Sequence, residues 1–147
     1  MFRTLVAAVD GSAHAHKALE KAAELANASG GKLIVLSVYR HHSPLETTHS
    51  LVKGRNEVEP PDVTLGRLAR ETVDEAVARA RGLGVSDVEG VVRRGPPART
   101  IVEVAKERNA DAIVLGGRGT GDIEGFLLGS VSYKVCSIAH CTCIAVK

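Results

Sequence analysis

Residues 112–132 read AIVLGGRGTGDIEGFLLGSVS: a short apolar run, a glycine-rich stretch, then a return to apolar residues. Ala112 to Leu115 has the length and composition of a buried strand. Leu128, Val131, Val135 and Ile138 recur at the spacing of one helical face. Between them the backbone is left bare. Glycine accepts positive φ and lets other groups approach the main chain closely, at an entropic cost that ordinary loops avoid. Strand, glycine loop and helix in that order allow two readings. One is a structural turn; the other is a cradle in which backbone N–H groups and a helix N-terminus hold an anion.

The rest of the chain repeats the alternation. Leu5 to Val9 is an apolar run closed by Asp10-Gly11-Ser12. Ala18, Leu19, Ala22, Leu25 and Ala26 then give a helix that stops at Ser29-Gly30-Gly31. Leu33 to Tyr39 (LIVLSVY) is a second strand, and residues 40–61 read as a long polar loop. Leu65, Leu68, Ala69, Thr72, Val73, Ala76, Val77 and Ala80 form a helical stripe; Val88 to Arg93 is a third strand. After the turn Gly95-Pro96-Pro97, Ile101, Val104 and Ala105 mark a helix ending near Asn109, and Cys143 to Val146 is a final strand. The strands are continuous apolar runs rather than alternating ones, as expected of parallel strands buried on both faces. The expected fold is therefore α/β: one Rossmann-like open sheet of five mainly parallel strands, helices on both faces, one domain over 1–147.

Composition narrows the function. The chain has 147 residues, 44% apolar and 24% charged, which is globular usage. With 19 basic and 17 acidic residues interspersed, the net charge of +2 leaves no electrostatic footprint for nucleic acid. Trp is absent and Phe and Tyr occur twice each, so platforms for base stacking are poorly supplied. No apolar stretch approaches the ~18 residues of a membrane span, and MFRTLVAAVDG lacks the core and cleavage region of a signal peptide. Cys136, Cys141 and Cys143 are odd in number; reduced thiols in a cytoplasm fit better than a secreted disulfide scaffold.

In open parallel sheets ligands sit outside the carboxyl ends of strands, where the strand order reverses. Two such ends carry polar or glycine residues here, Val9-Asp10-Gly11 and Gly116-Gly117-Arg118-Gly119. Asp10 reads either as an acceptor for a ribose hydroxyl or as a turn-forming residue. A P-loop fails, because Gly31-Lys32 is followed by Leu33 and lacks the upstream glycine spacing; the dinucleotide fingerprint fails, because the first strand offers only Asp10-Gly11-Ser12. What remains is Gly116, two residues, Gly119, nine residues, Gly129-Ser130. The smaller candidates read as structure. Cys136, His140, Cys141 and Cys143 offer too few partners for zinc, and the three cysteines are read as buried thiols. His41, His42 and His49 are solvated loop residues, and Glu71, Glu75 and Arg79 a solvated helix face.

That glycine spacing resembles the ATP-binding subclass of the universal stress protein family. The resemblance extends to Val9-Asp10-Gly11-Ser12, to Gly95-x-Pro97 before Ile101, and to Leu127-Leu128-Gly129-Ser130-Val131-Ser132. The His41-His42-Ser43 loop is similar to a branch that accompanies osmolyte transporters. The resemblance implies an adenine nucleotide across the carboxyl edge of the sheet. Asp10 would contact the nucleoside, the Val38 main chain the adenine, and Gly116 the ribose. Gly119, Gly129, Ser130, Val131 and Ser132 would surround the phosphates, with Arg118 adding a charge-assisted contact and Mg2+ arriving through the phosphates. Thr142 and Cys143 depart from the family, which usually has Pro and Val there.

The favoured expectation is a cytoplasmic stress-response regulator that binds ATP, or ADP or AMP, and whose occupancy modulates assembly or partner binding. A transporter is one such partner. The alternatives are a slow ATP hydrolase or phosphotransferase, drawing on Arg118 and Asp122 or Glu124, and a ligand-free scaffold. The last strand should lie at a sheet edge, and the resemblance implies a homodimer through residues 142–146 that stacks further with nucleotide. Thr142, replacing Pro, is expected to add a backbone donor to that pairing.

Overall fold

A computed structural model of the chain describes residues 1–41, 60–118 and 128–147. Its elements run β1 (Thr4–Ala8), α1 (Ala13–Ser29), β2 (Lys32–Tyr39), α2 (Pro61–Gly82), β3 (Val88–Arg94), α3 (Pro97–Glu107), β4 (Ala112–Gly116), α4 (Ser130–Ile138) and β5 (Thr142–Val146). The strands form one sheet in the order β3-β2-β1-β4-β5, and every pairing is parallel. The α/β open sheet expected from the alternation is the one found.

Two apolar layers sandwich the sheet, and the pleat sorts residues between them. Leu5, Ala7, Leu33, Val35 and Val114 pack with Leu19, Ala22 and Ala26 of α1 and Val73, Val77 and Ala80 of α2. Val6, Ile34, Leu36, Ile113 and Leu115 pack on the other face with Ile101, Val104 and Ala105 of α3 and Val135 of α4. The alternating residues of β1, β2 and β4 thus serve opposite cores, which is why these strands carry no polar period.

The ends of the elements have local causes. Ser12 caps α1, its hydroxyl accepting from the Ala15 N–H at 3.2 Å, and Gly30 closes the helix at φ +65. At the amino edge, the Asp111 carboxylate accepts the N–H groups of Arg3 at 2.7 Å and Thr4 at 2.9 Å, while Asp111 N–H donates to the Thr4 carbonyl. That clasp aligns β1 with β4 and holds the Asp111 carboxyl below its ordinary range, the Thr4 bond contributing most.

Three details depart from the sequence reading. Leu68 is 48% exposed, so the buried stripe of α2 is Ala69, Val73, Ala76, Val77 and Ala80. In α4, Leu128 precedes the helix and Ile138 is 52% exposed; its inward face is Ser132 and Val135. The spacing counted apolar residues, whereas this short helix spends one inward position on a hydroxyl. Finally, Thr142 N–H donates inward to the Asp111 carbonyl at 3.3 Å, so the donor restored by the absence of Pro is used within the chain. β5 does lie at the sheet edge.

Candidate functional site

The strand order places the reversal between β1 and β4. The chain leaves β1 through α1 toward β2 and β3, then returns through α3 to β4 on the other side of β1. Connections on opposite faces open a crevice at the carboxyl ends of this pair. A cavity of about 390 Å³ lies there, within the range of small-molecule sites (about 300–1,000 Å³). Ala8, Val9, Leu36, Val38 and Leu115 supply apolar lining from the strand ends, and Pro97 and Ile101 supply it from α3. Its charged lining residues are Asp10, Arg40 and Arg118, and the first turn of α4 contributes Ser130, Val131 and Ser132.

Of the residues singled out in the sequence, Asp10, Val38, Gly116, Arg118, Ser130, Val131 and Ser132 all line this one cavity. Gly129 is the residue before α4, with φ −72 and ψ 168. It is extended backbone open to any residue, so glycine is not required there for positive φ. Gly119, Leu127, Asp122 and Glu124 lie outside the described residues, as do His42, Ser43 and His49.

Backbone geometry explains how the α4 end is held. Gly117 N–H donates to the Val146 carbonyl at 2.6 Å, and Gly129 N–H donates to the Gly117 carbonyl at 2.6 Å. The glycine loop is thereby closed at its stem and α4 starts beside the end of β4. A β-carbon on Gly116 would lie 2.8 Å from His14 carbonyl carbon and 2.9 Å from Ala15 N, so close approach of α1 demands this glycine. The Ser132 hydroxyl donates to the Gly116 carbonyl. Ser132 therefore positions the helix through its side chain and is also a lining residue of the cavity.

The electrostatics follow from the helix ends. In a parallel sheet every crossover helix starts at the carboxyl edge, where its unsatisfied N–H groups carry partial positive charge. At α1 a side chain meets that end, Ser12. The residues that open α3 and α4, Pro96 and Gly129, supply no side-chain cap, and neither helix has an acid in its first turn. Asp10 is the acidic counterpart. Its carboxylate accepts Ser12 N–H at 2.9 Å across Gly11, whose φ is +83. The turn-forming role and a place in the cavity thus coexist at Asp10.

Sequence reasoning missed Arg40, Pro97 and Ile101 as lining residues. Arg40 directly follows the carboxyl end of β2, and such a position was a signal available beforehand. His41, by contrast, pairs with Asp62 of α2 at 2.7 Å, and Arg94 reaches the same carboxylate oxygen at 3.3 Å. Among the described residues, no group of three His, Cys, Asp or Glu side chains could hold a metal ion. No helix among them is long and apolar enough to cross a membrane.

Comparison with known proteins agrees with this architecture. The family model described as the universal stress protein family matches residues 1–147. The chain is 32% identical to Universal stress protein YxiE of Bacillus subtilis over 158 residues, covering 100% of both chains. It is similar to a universal stress protein crystallised with cAMP, at a TM-score of 0.75 and 28% identity, covering 99% of this chain and 97% of that one. The universal stress protein of Archaeoglobus fulgidus in complex with dAMP matches at a TM-score of 0.68 and 27% identity, with 100% and 98% covered.

Proposed function

Because this chain belongs to the universal stress protein family, we propose that its carboxyl-edge cavity binds an adenine nucleotide and that occupancy regulates assembly or partner contacts. One observation carries the reading. The first turn of α4, which starts on Gly129 and carries no acidic side chain, borders a cavity at the β1–β4 reversal, together with Arg118 and Arg40. The positive end of a helix with nearby guanidinium groups suits phosphate, and the apolar strand ends beneath suit a base. The similar proteins crystallised with cAMP and dAMP favour an adenine ligand.

In this arrangement the Val38 main chain meets the adenine and the Asp10 carboxylate accepts from a ribose hydroxyl. Gly116 leaves room beside the sugar. The phosphates lie against Gly119, Gly129, Ser130, Val131 and Ser132, with Arg118 and Arg40 supplying charge. ATP is the finer reading, with Mg2+ brought by its phosphates. Asp10 is the sole carboxylate of the cavity among its described lining residues. Phosphoryl transfer needs metal ligands and a group orienting water, so a binding protein is the reading favoured over a hydrolase. The chain would act in the cytoplasm in a stress response, pairing through residues 142–146. A transporter as partner rests on the His41-His42-Ser43 resemblance alone.

The test is to extract purified protein, identify co-purified nucleotide by mass, and titrate ATP, ADP, AMP and cAMP calorimetrically. Saturable binding of at least one, weakened in Arg118→Ala, is expected. No binding by any of the four overturns the reading.

A further inference from the structure

The three cysteines that the nucleotide site leaves unused converge where α4 meets β5. The sequence reading of three buried thiols does not hold: Cys136 is exposed in the last turn of α4, and Cys141 and Cys143 are half-buried, Cys143 on the edge strand. Cys143 Sγ lies 3.9 Å from the carbonyl oxygen of Val135, so its sulfur sits beside the peptide that carries Cys136. Cys141 is placed differently. Its carbonyl is 3.8 Å from Cys143 Sγ, while the residue lines a separate cavity of about 270 Å³ with Lys106, Ala139 and His140. An exposed thiol beside a sheltered one, seven positions on, is the arrangement of an attacking and a resolving cysteine.

We propose that Cys136 and Cys143 form a reversible dithiol–disulfide pair, closed by hydrogen peroxide, that ties the end of α4 to edge strand β5. The Cys136 thiolate attacks one peroxide oxygen; an S–O bond forms, the O–O bond breaks, and the departing hydroxide leaves as water. Cys143, as thiolate, then attacks the Cys136 sulfur and expels the sulfenic oxygen as a second water once protonated. Two thiols lose two electrons and two protons, and one peroxide becomes two waters. A small thiol such as dithiothreitol reverses the closure by exchange. Burial first, then the neighbouring Cys136 and Cys141 thiols, push Cys143 up to about 12, so its thiolate is scarce at neutral pH. Closure should therefore accelerate as pH rises from 7 to 9. The pair leaves the nucleotide cavity untouched, so its test stands apart from that of ligand binding.

The experiment treats reduced, folded protein with hydrogen peroxide, removes the oxidant, unfolds the chain in guanidinium chloride so that every remaining thiol is accessible to N-ethylmaleimide, and weighs the intact chain. Three adducts are expected before oxidation, one after it, and three again after dithiothreitol. Cys141→Ser should still close, going from two adducts to none, whereas Cys136→Ser and Cys143→Ser should not close. Should Cys143→Ser fail to fold by circular dichroism, Cys143→Ala replaces it. Persistence of three adducts in oxidised parent overturns the proposal. So does closure lost in Cys141→Ser, closure retained in either the Cys136 or the Cys143 variant, or a product that is solely an over-oxidised Cys136 or a cross-link between chains.

Discussion

Ser132 and Gly116 are joined by a hydrogen bond in which the hydroxyl of the first α4 turn donates to the carbonyl that ends β4. On its other side Gly116 meets His14 and Ala15 of α1, too closely for a β-carbon. One glycine therefore registers β4 against the starts of two helices. Ser132→Ala should cost about 1–2 kcal/mol, because a buried carbonyl loses its donor. Gly116→Ala should cost about 1–3 kcal/mol through overpacking against backbone. Urea unfolding measures both; unchanged midpoints would show that this junction is slack.

Asp10 serves the turn and borders the cavity, and two substitutions separate those roles. Asp10→Asn keeps an oxygen able to accept Ser12 N–H, so stability should hold. The amide lacks the charge that strengthens a bond from a ribose hydroxyl, and adenosine nucleotide affinity should fall. Asp10→Ala removes both, and the affinity loss should reach about 1.5–3 kcal/mol, the worth of a hydrogen bond to a charged group. Calorimetry decides. If both variants bind like the parent, Asp10 is a turn residue only.

Arg118 and Arg40 predict a ladder in charge. Each guanidinium contributes to phosphate through charge-assisted contacts, so Arg118→Ala should weaken ATP more than AMP and leave adenosine nearly unchanged. Added salt should shrink the ATP difference. Equal losses for ATP and adenosine would place the guanidinium against the base or sugar, contrary to the assignment.

The architecture was legible because the alternation of apolar runs with helical stripes is a coarse signal, repeated through the whole chain. The cavity was legible at residues whose type is odd for a strand end, such as Asp10 and the glycines from Gly116. Arg40 escaped because its one signal, a place directly after a strand, is weak alone; the fold shows that it lines the same cavity as Val38 and Arg118. The α4 stripe misled at Ile138 because spacing identifies a face without saying which neighbour meets it. Thr142 misled for a related reason: the sequence supplies a donor, and only the register of β5 on β4 shows which way it points.

The Asp111 clasp sets an acid limit. Its folded carboxyl titrates below the ordinary 3.8, first through the Thr4 and then the Arg3 backbone bond. The unfolded chain takes up the proton first as pH falls. The clasp's stability is thus complete above the unfolded value and is lost as pH drops through the lowered folded one. Asp111→Ala should be less stable than the parent at pH 6, and the two urea midpoints should converge toward pH 2. A gap of constant size across that range would mean that the carboxylate charge contributes nothing.

Edge strand β5 carries the expectation of a homodimer, and its register dictates how to test it. Thr142 N–H donates to Asp111, and the Val146 carbonyl accepts from Gly117 N–H, so both residues present their main chain to β4. Peptide groups alternate along a strand, so Ile144 shares that inward set while Cys143 and Ala145 present N–H and C=O outward. Proline at Ile144 would strip an inward bond and damage the sheet itself. Proline at Ala145 removes an outward donor, where an edge strand tolerates it. A second copy related by a two-fold axis would satisfy both edges with one patch. Sedimentation at micromolar concentration should show a parent dimer and a folded, monomeric Ala145→Pro. A monomeric parent, or an Ala145→Pro chain that still dimerises fully, would remove β5 from the interface.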